Sequence, residues 1–255
     1  MASNSQLETK QKIKQLFYPE TAAGGFSSVD GTVQFYQRVN ALLRKDDIVV
    51  DLGAGRGAAA QIATPAYTLE LMNLRGQCKR VIGIDIDDVV FENPFLDEAR
   101  LIPDDGRFPV QNNSVDLIVS DAVFEHINDP TRFSLEIDRV LRKGGWLCAR
   151  TPNRWGYIGI SANFIPNRYH VALLKYLQPN RRAVDVFPTC YKLNTLRSLK
   201  RAFPQTRYEH YIYSWNSEPA YFASSRVAWL LMTTLFRFTP SAFGAIWNIF
   251  LKKTT

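Results

Sequence analysis

One short stretch limits what this chain can fold into more than any other: an apolar run ends in an acid, and three glycines follow at alternate positions. It reads Val-Val-Asp-Leu-Gly-Ala-Gly-Arg-Gly over residues 49–57. The continuous apolar run is typical of a strand buried on both faces of a parallel sheet. Glycines let the backbone turn sharply and approach a ligand without a Cβ clash. We therefore predict a ligand-binding loop after this strand and a helix from about Ala58.

The residue types in this loop leave two cofactor classes open. Gly53, Gly55 and Ala58 match the dinucleotide pattern G-x-G-x-x-A, which is weak by itself and keeps a nicotinamide cofactor as an alternative. Asp51 favours a cofactor with a cationic amino group, because its carboxylate attracts a cation and repels a pyrophosphate. A plainer alternative is that Asp51 caps the following helix.

Further acidic residues downstream could bind the nucleoside part of a cofactor. One apolar run ends in Asp85, whose carboxylate can accept hydrogen bonds from both hydroxyls of a ribose. Downstream, Asp104 or Asp105 can accept from an adenine amino group, although a turn before Gly106 explains them as well. A second buried run at residues 117–119 leads into a segment with Glu125, His126 and Ile127.

In this order and spacing, the blocks resemble the class I S-adenosylmethionine-dependent methyltransferases, specifically the small-molecule, type 11-like group. The resemblance covers residues 48–153, about two-fifths of the chain. It implies S-adenosylmethionine as the cofactor and an α/β fold, a Rossmann-like doubly wound sheet that is mostly parallel. The residues that it implies for cofactor binding are Asp51, Gly53, Ala54, Gly55, Gly57, Asp85, Ile86, Asp104, Asp105 and Asp121.

We predict four segments along the chain. Residues 1–46 form N-terminal cap helices over 7–17 and 32–43, and their aromatic residues are expected to line a lid over the cofactor. Residues 47–153 form the cofactor-binding core, and residues 154–225 form a substrate-side insertion with the last strands of the sheet. Residues 226–255 are predicted to form two short apolar helices. The lid aromatics are Tyr18, Phe26 and Tyr36.

Composition indicates a reducing compartment. The three cysteines, Cys78, Cys148 and Cys190, have neither the spacing of a disulfide framework nor that of a metal site. Residues 1–15 are polar and lack the apolar centre of a secretory signal. We therefore expect a cytoplasmic protein without a metal.

Charge is distributed unevenly between the two halves. Residues 1–127 carry 12 basic and 18 acidic side chains, whereas residues 128–255 carry 19 and 6. The basic half favours an anionic substrate or an anionic membrane surface, although solvation explains part of this excess. The apolar runs of 226–255 are too short to span a bilayer. They fit either helices packed on the core or peripheral contact with the inner face of the membrane.

The sequence offers one leading candidate for a catalytic base. An oxygen nucleophile needs a base, and His126 is the nearest candidate, although it could equally be a packing residue. Weaker candidates are Tyr169, His170 and Asp185. Residues 120–123 lack the Asn/Asp-Pro-Pro-aromatic block that resembles amino-methylating nucleic-acid enzymes, which argues against N-methylation of a base, so nucleic acid is not the expected partner.

The sequence therefore predicts a methyltransferase that acts on an oxygen of a small or lipid-linked anionic molecule. Glycans are among the candidates, because residues 151–154 and 187–195 loosely resemble bacterial members found among surface-polysaccharide genes. Three alternatives stay open: an RNA methyltransferase, a nicotinamide-dependent oxidoreductase, and a non-catalytic or membrane-associated binding protein.

Overall fold

A seven-stranded sheet organises the residues that the computed structural model describes, which are 4–164, 188–219 and 225–255. The strand order is β3-β2-β1-β4-β5-β7-β6, and β7 runs antiparallel to both of its neighbours. The sheet is thus mostly parallel, as predicted. The strands are β1 Ile48–Leu52, β2 Arg80–Asp85, β3 Glu98–Leu101, β4 Val115–Asp121, β5 Leu141–Pro152, β6 Tyr208–Trp215 and β7 Ile246–Lys253.

Helices cover both faces of this sheet, so the doubly wound architecture is confirmed. Side chains of α2 pack with one face in a core that includes Phe35 and Val49, whereas α5 and α7 pack on the other. The described helices are α1 Asn4–Phe17, α2 Gly31–Leu42, α3 Ala58–Gln61, α4 Ala66–Met72, α5 Pro130–Val140, α6 Tyr157–Phe164, α7 Leu196–Ala202 and α8 Arg226–Phe238.

The central strand β1 shows why its sequence is apolar throughout. Val49 and Val50 point to opposite faces of the sheet, and both are fully buried in the two separate cores. β1 lies between β2 and β4, so the direction of winding reverses beside it. Ligands of open α/β sheets bind at this point, outside the carboxyl ends of the strands.

Residues close together in the chain account for several helix and strand ends near β1. Asp30 caps α2, because its Oδ1 accepts from the backbone N–H groups of Thr32 at 2.9 Å and Val33 at 3.0 Å. α3 begins at Ala58, as expected from the glycine loop. The long crossover to β2 contains α4 as an additional helix. The segment 154–225, predicted to hold the last strands of the sheet, contains β6.

The prediction of two C-terminal helices in residues 226–255 is half wrong. α8 is a helix, but Ile246–Lys253 forms β7 and lies between β5 and β6. Most β7 residues are buried, so the strand has a continuous apolar run that periodicity cannot distinguish from a short buried helix. One of the last sheet strands therefore belongs to 226–255 rather than to 154–225. Within the described ranges, no helix has the length and apolar character needed to cross a membrane.

Because β7 is an interior strand, truncating its core side chains should weaken the whole fold. Leu251 is fully buried against the core on the α5 side. We expect Leu251→Ala to lower the free energy of unfolding by roughly 2–5 kcal/mol in a urea titration. The matched control is Val227→Ala on α8, where the side chain is 68% exposed and the expected change is within about 0.5 kcal/mol. Equal effects of the two substitutions would contradict this placement of β7.

Candidate active site

Three carboxyl groups meet at the carboxyl edge of the sheet. Asp51 lies near the end of β1, while Asp85 and Asp121 are the last residues of the flanking strands β2 and β4. Burial, followed by the negative charges of Asp121 and Asp85, raises the pKa of Asp51 from 3.8 to about 7. Such a cluster favours a proton or a cationic ligand at Asp51.

The glycine loop leaves open space beside these acids. Gly53 has φ +76° and donates its N–H to the Ile84 carbonyl at 2.8 Å, and a Cβ there would lie 2.3 Å from Val123 Cγ2. Gly55 has φ +46°, and a Cβ at this position would meet no atom within 4 Å. The loop is therefore closely packed at Gly53 but open at Gly55, where a ligand can approach the backbone.

Asp85 holds the loop while keeping capacity for a further donor. Its Oδ2 accepts the Gly55 N–H at 2.8 Å, and its Oδ1 accepts the Asp87 N–H at 3.0 Å. Each carboxylate oxygen can accept more than one hydrogen bond. Next to it, Ile86 is 67% exposed, which leaves an apolar surface available beside the acid. This arrangement suits a ribose with an attached base.

Asn93 also holds the glycine loop, and the sequence analysis did not identify it. The Asn93 side chain is buried and donates from Nδ2 to the carbonyls of Ala54 at 3.0 Å and Gly55 at 3.1 Å. A Cβ at Gly57 would lie only 2.7 Å from Asn93 Oδ1, so this glycine is needed for close packing. The available signal was the Asn-Pro pair at residues 93–94, which is typical of a turn.

Asp104 and Asp105 lie in a turn after β3, and both are exposed. The Gly106 N–H donates to the Pro103 carbonyl at 2.7 Å, and Asp105 Oδ1 accepts the Arg107 N–H at 2.9 Å. The turn therefore accounts for Asp105 by itself. The adenine contact of either residue stays a prediction.

Asp121 makes a bidentate ion pair with Arg150, a residue that the sequence did not single out. Arg150 Nε donates to Asp121 Oδ1 at 2.8 Å, and the Nη2 group donates to Oδ2. Arg150 also donates to Thr32 Oγ1 at 3.1 Å and lies 5.5 Å from the centre of the Phe35 ring. Asp121 thus fastens α2 to the sheet, and its role in binding a cofactor stays a prediction.

The aromatic residues expected in the lid lie in different surroundings. Tyr36 on α2 is buried, and burial, followed by the charges of Asp121 and Asp51, raises its pKa well above the usual value. Tyr18 packs on Trp229, with the ring centres 6.1 Å apart. Phe26 packs on Tyr67 at 5.4 Å. Of the three, Tyr36 is the one whose charge environment includes the carboxyl cluster.

A buried polar network follows β4. Glu125 is 6% exposed and accepts from Thr151 Oγ1 at 2.8 Å, while the Asn194 amide donates to the same Thr151 oxygen at 2.7 Å. Burial raises the pKa of Glu125. The Glu125 carbonyl also accepts the backbone N–H groups of Cys190 and Tyr191. This network holds the segment after β4 against residues 188–195.

His126 is fixed by the same segment. Its Nδ1 lies 2.9 Å from the Pro188 carbonyl oxygen. A carbonyl can only accept, so Nδ1 carries the hydrogen in this contact, and the neutral ring then has its lone pair on Nε2. That tautomer is suited to accept a proton. Tyr169, His170 and Asp185 lie outside the described residues. Among the residues that are described, no three or more His, Cys, Asp or Glu side chains form a group that could hold a metal ion.

Comparisons with known proteins agree with this arrangement. A family model described as a methyltransferase domain matches residues 50–149. A Mycolicibacterium smegmatis protein named as a probable S-adenosylmethionine-dependent methyltransferase is 31% identical over 109 residues, which are 42% of this chain and 38% of that protein. The chain spans about two-fifths of the length of the curated relatives that it matches.

Solved structures share the fold. A Thermotoga maritima SAM-dependent methyltransferase, described as a possible histamine N-methyltransferase, superposes with a TM-score of 0.52 at 16% identity over 97% of this chain and 99% of that one. Geranyl diphosphate C-methyltransferase from Streptomyces coelicolor gives 0.52 at 16% identity over 87% and 77%. At these identities the superpositions establish the fold alone. Residues 50–149 thus match a methyltransferase domain, and the curated relatives that align with part of this chain are named as probable S-adenosylmethionine-dependent methyltransferases.

Proposed function

We propose that this protein uses S-adenosylmethionine to methylate an oxygen of a small or lipid-linked anionic acceptor. The observation that carries the cofactor assignment is the open space at Gly55, whose N–H group donates to Asp85 Oδ2 in the loop that follows Asp51. S-adenosylmethionine, when bound, supplies a methyl group on a cationic sulfonium and also carries a cationic amino group. Three neighbouring carboxyl groups suit such a ligand and repel the pyrophosphate of a nicotinamide cofactor.

Each part of the cofactor has a matching group in the chain. Asp51 would bind the amino group, Asp85 the ribose hydroxyls, and Ile86 the adenine ring. The backbone from Gly53 to Gly57 would lie against the middle of the molecule, and Asp104 or Asp105 would accept from the adenine amino group. The preformed bonds of Asp85 and Asn93 hold this loop in place before a ligand arrives.

On the acceptor side, His126 would take the proton of the reacting hydroxyl on Nε2. Its Nδ1 contact with Pro188 orients the ring, so the proton has a defined destination. The buried Glu125 lies next to it in the chain. Glu125 acts as a positioning residue here, because its side chain is held by Thr151.

Cationic groups on the segments joined by the Glu125 network support an anionic acceptor. Lys192 Nζ donates to the Asn128 carbonyl at 2.8 Å and to Asn128 Oδ1 at 2.6 Å, two residues beyond His126. Arg154, just after β5, lies 5.8 Å from the ring of Trp155, which is 54% exposed.

The free cysteines Cys78, Cys148 and Cys190 fit the proposed cytoplasmic location. The RNA, nicotinamide and non-catalytic alternatives gain no support from the family match or the relatives.

The acceptor class can be tested directly. The purified protein is incubated with S-adenosylmethionine labelled on its methyl group and with bacterial extract separated into small-molecule, lipid and RNA fractions. We expect label in the small-molecule or lipid fraction, in a product that is stable to mild base as an ether is. Label confined to RNA would overturn the proposed acceptor while leaving the cofactor assignment intact.

A first prediction concerns the open space at Gly55. Gly55→Val should abolish binding of S-adenosylhomocysteine in calorimetric titration, because the side chain would occupy the space of the cofactor. Gly76→Val is the matched control, since Gly76 also has positive φ and no atom within 4 Å of a built Cβ. Both substitutions carry similar backbone strain. Loss of binding in both variants, or in neither, would contradict the placement of the cofactor.

A second prediction concerns Asp51 and pH. Its pKa is about 7 without a ligand, and only the ionised form attracts the cationic amino group. Affinity for S-adenosylhomocysteine should therefore rise by roughly tenfold between pH 6 and pH 8, because the ionised fraction of Asp51 rises by about that factor over this range. Asp51→Asn should bind weakly with little pH dependence.

Asp51→Asn should weaken cofactor binding but stabilise the unliganded protein. A carboxyl whose pKa is raised from 3.8 to about 7 by folding costs the free protein stability as the pH rises through that range. The unliganded Asp51→Asn variant should therefore melt a few degrees above the wild type at pH 8, with a smaller difference at pH 5. Equal melting differences at both pH values would count against the raised pKa.

A third prediction concerns His126. His126→Gln should slow methyl transfer to the identified acceptor by about 10²–10⁴-fold, which is the usual contribution of a general base. Its affinity for S-adenosylhomocysteine should be unchanged. His210→Gln is the matched control. His210 lies on β6, and its ring also contacts a backbone carbonyl, that of Phe203, at 2.7 Å. A full rate in His126→Gln would assign His126 to packing.

A further inference from the structure

Helix α8 exposes an unusually apolar outer side. Its large exposed side chains are between 54% and 80% accessible, and their spacing places them on one stripe of the helix. They are Val227, Leu230, Leu231, Leu235 and Phe238. Exposed apolar residues are ordinary when scattered, but a contiguous stripe marks an interaction site.

The opposite side of α8 is already packed on the protein. Trp229 is 1% exposed, and its ring centre lies 5.7 Å from that of Phe17 and 6.1 Å from that of Tyr18. Phe236 packs on Tyr157 of α6 at 5.4 Å. The helix therefore cannot bury its outer stripe by rotating, because rotation would expose Trp229.

The charged side chains of α8 itself are both positive. The chain contains no Asp or Glu after Glu218, and the Glu218 carboxylate lies 2.7 Å from Lys14 Nζ. Arg226 and Arg237 are both exposed and, at 100° per residue, lie on the same flank of α8. An apolar stripe with a cationic flank is the pattern of a helix that lies in the interface of an anionic bilayer.

Two elements near α8 also carry an exposed apolar side chain. Leu16 at the end of α1 is 60% exposed, and Phe243 after α8 is 51% exposed. The 13-residue α8 is about 20 Å long, shorter than the hydrocarbon core of about 30 Å, so it suits an orientation along the membrane plane.

We propose that the outer side of α8 docks this protein onto an anionic lipid bilayer, with the stripe in the acyl boundary and Arg226 and Arg237 at the headgroups. The docking does not depend on the methyl-transfer reaction. It would bring the proposed active site to lipid-linked acceptors, and only that last consequence rests on the proposed function.

Co-sedimentation of the full chain with vesicles tests the proposal. We expect binding to vesicles of phosphatidylglycerol and phosphatidylcholine, little binding to phosphatidylcholine alone, and a marked decrease at about 0.5 M salt. The double variant Leu231→Glu/Phe238→Glu should lose at least about tenfold in partition, since two large apolar contacts are removed. Arg226→Ala/Arg237→Ala should reduce the preference for anionic vesicles.

Controls separate docking from folding and from cofactor binding. Leu135→Glu changes a side chain on α5 that is 57% exposed, similar to those of α8, and should bind vesicles as the wild type does. All variants should keep the wild-type melting temperature and affinity for S-adenosylhomocysteine. Absence of wild-type binding to anionic vesicles would overturn the proposal. So would equal binding of the Leu231→Glu/Phe238→Glu variant, or a wild-type dimer in sedimentation velocity that this variant abolishes, which would assign the stripe to a second copy of the chain.

Discussion

Electrostatic repulsion among three carboxyl groups is the constraint around which the rest of the site is arranged. The strand order places β1 between β2 and β4, so Asp51, Asp85 and Asp121 meet at one edge. Each is accommodated differently. Arg150 neutralises Asp121, two backbone N–H groups hold Asp85, and Asp51 has a pKa near neutrality. A cation placed beside Asp51 would relieve the repulsion that remains, which is why this pocket suits a positively charged cofactor.

Strand β5 connects the two sides of the proposed reaction. Successive residues of a strand point to opposite faces. Arg150 points to the α2 side, where it contacts Asp121 and Thr32, and the next residue, Thr151, bonds Glu125 and Asn194 in the other network. Both networks are therefore anchored at adjacent positions of one rigid element. A shift of β5 would disturb the cofactor side and the acceptor side together.

The sequence predicted the parts of the site that depend on local chain geometry. The glycine loop and the start of α3 follow from residues close together in the chain. It did not predict the partners supplied by distant residues. Arg150 meets Asp121 from 29 positions away, and Asn93 meets Ala54 from 39 positions away. The C-terminal strand was missed for a related reason: only the vacant position beside β5 distinguishes an apolar strand from an apolar helix there.

The position of β7 also imposes an order of assembly. β6 precedes β7 in the chain, yet among the described strands it pairs only with β7. During synthesis, β6 therefore has no strand to pair with until residues 246–253 have emerged, and β5 has an open edge for the same period. Open strand edges are where nascent chains associate wrongly. The apolar segments between β5 and β7 are thus the part of this protein most dependent on rapid completion of the sheet or on protection by a chaperone.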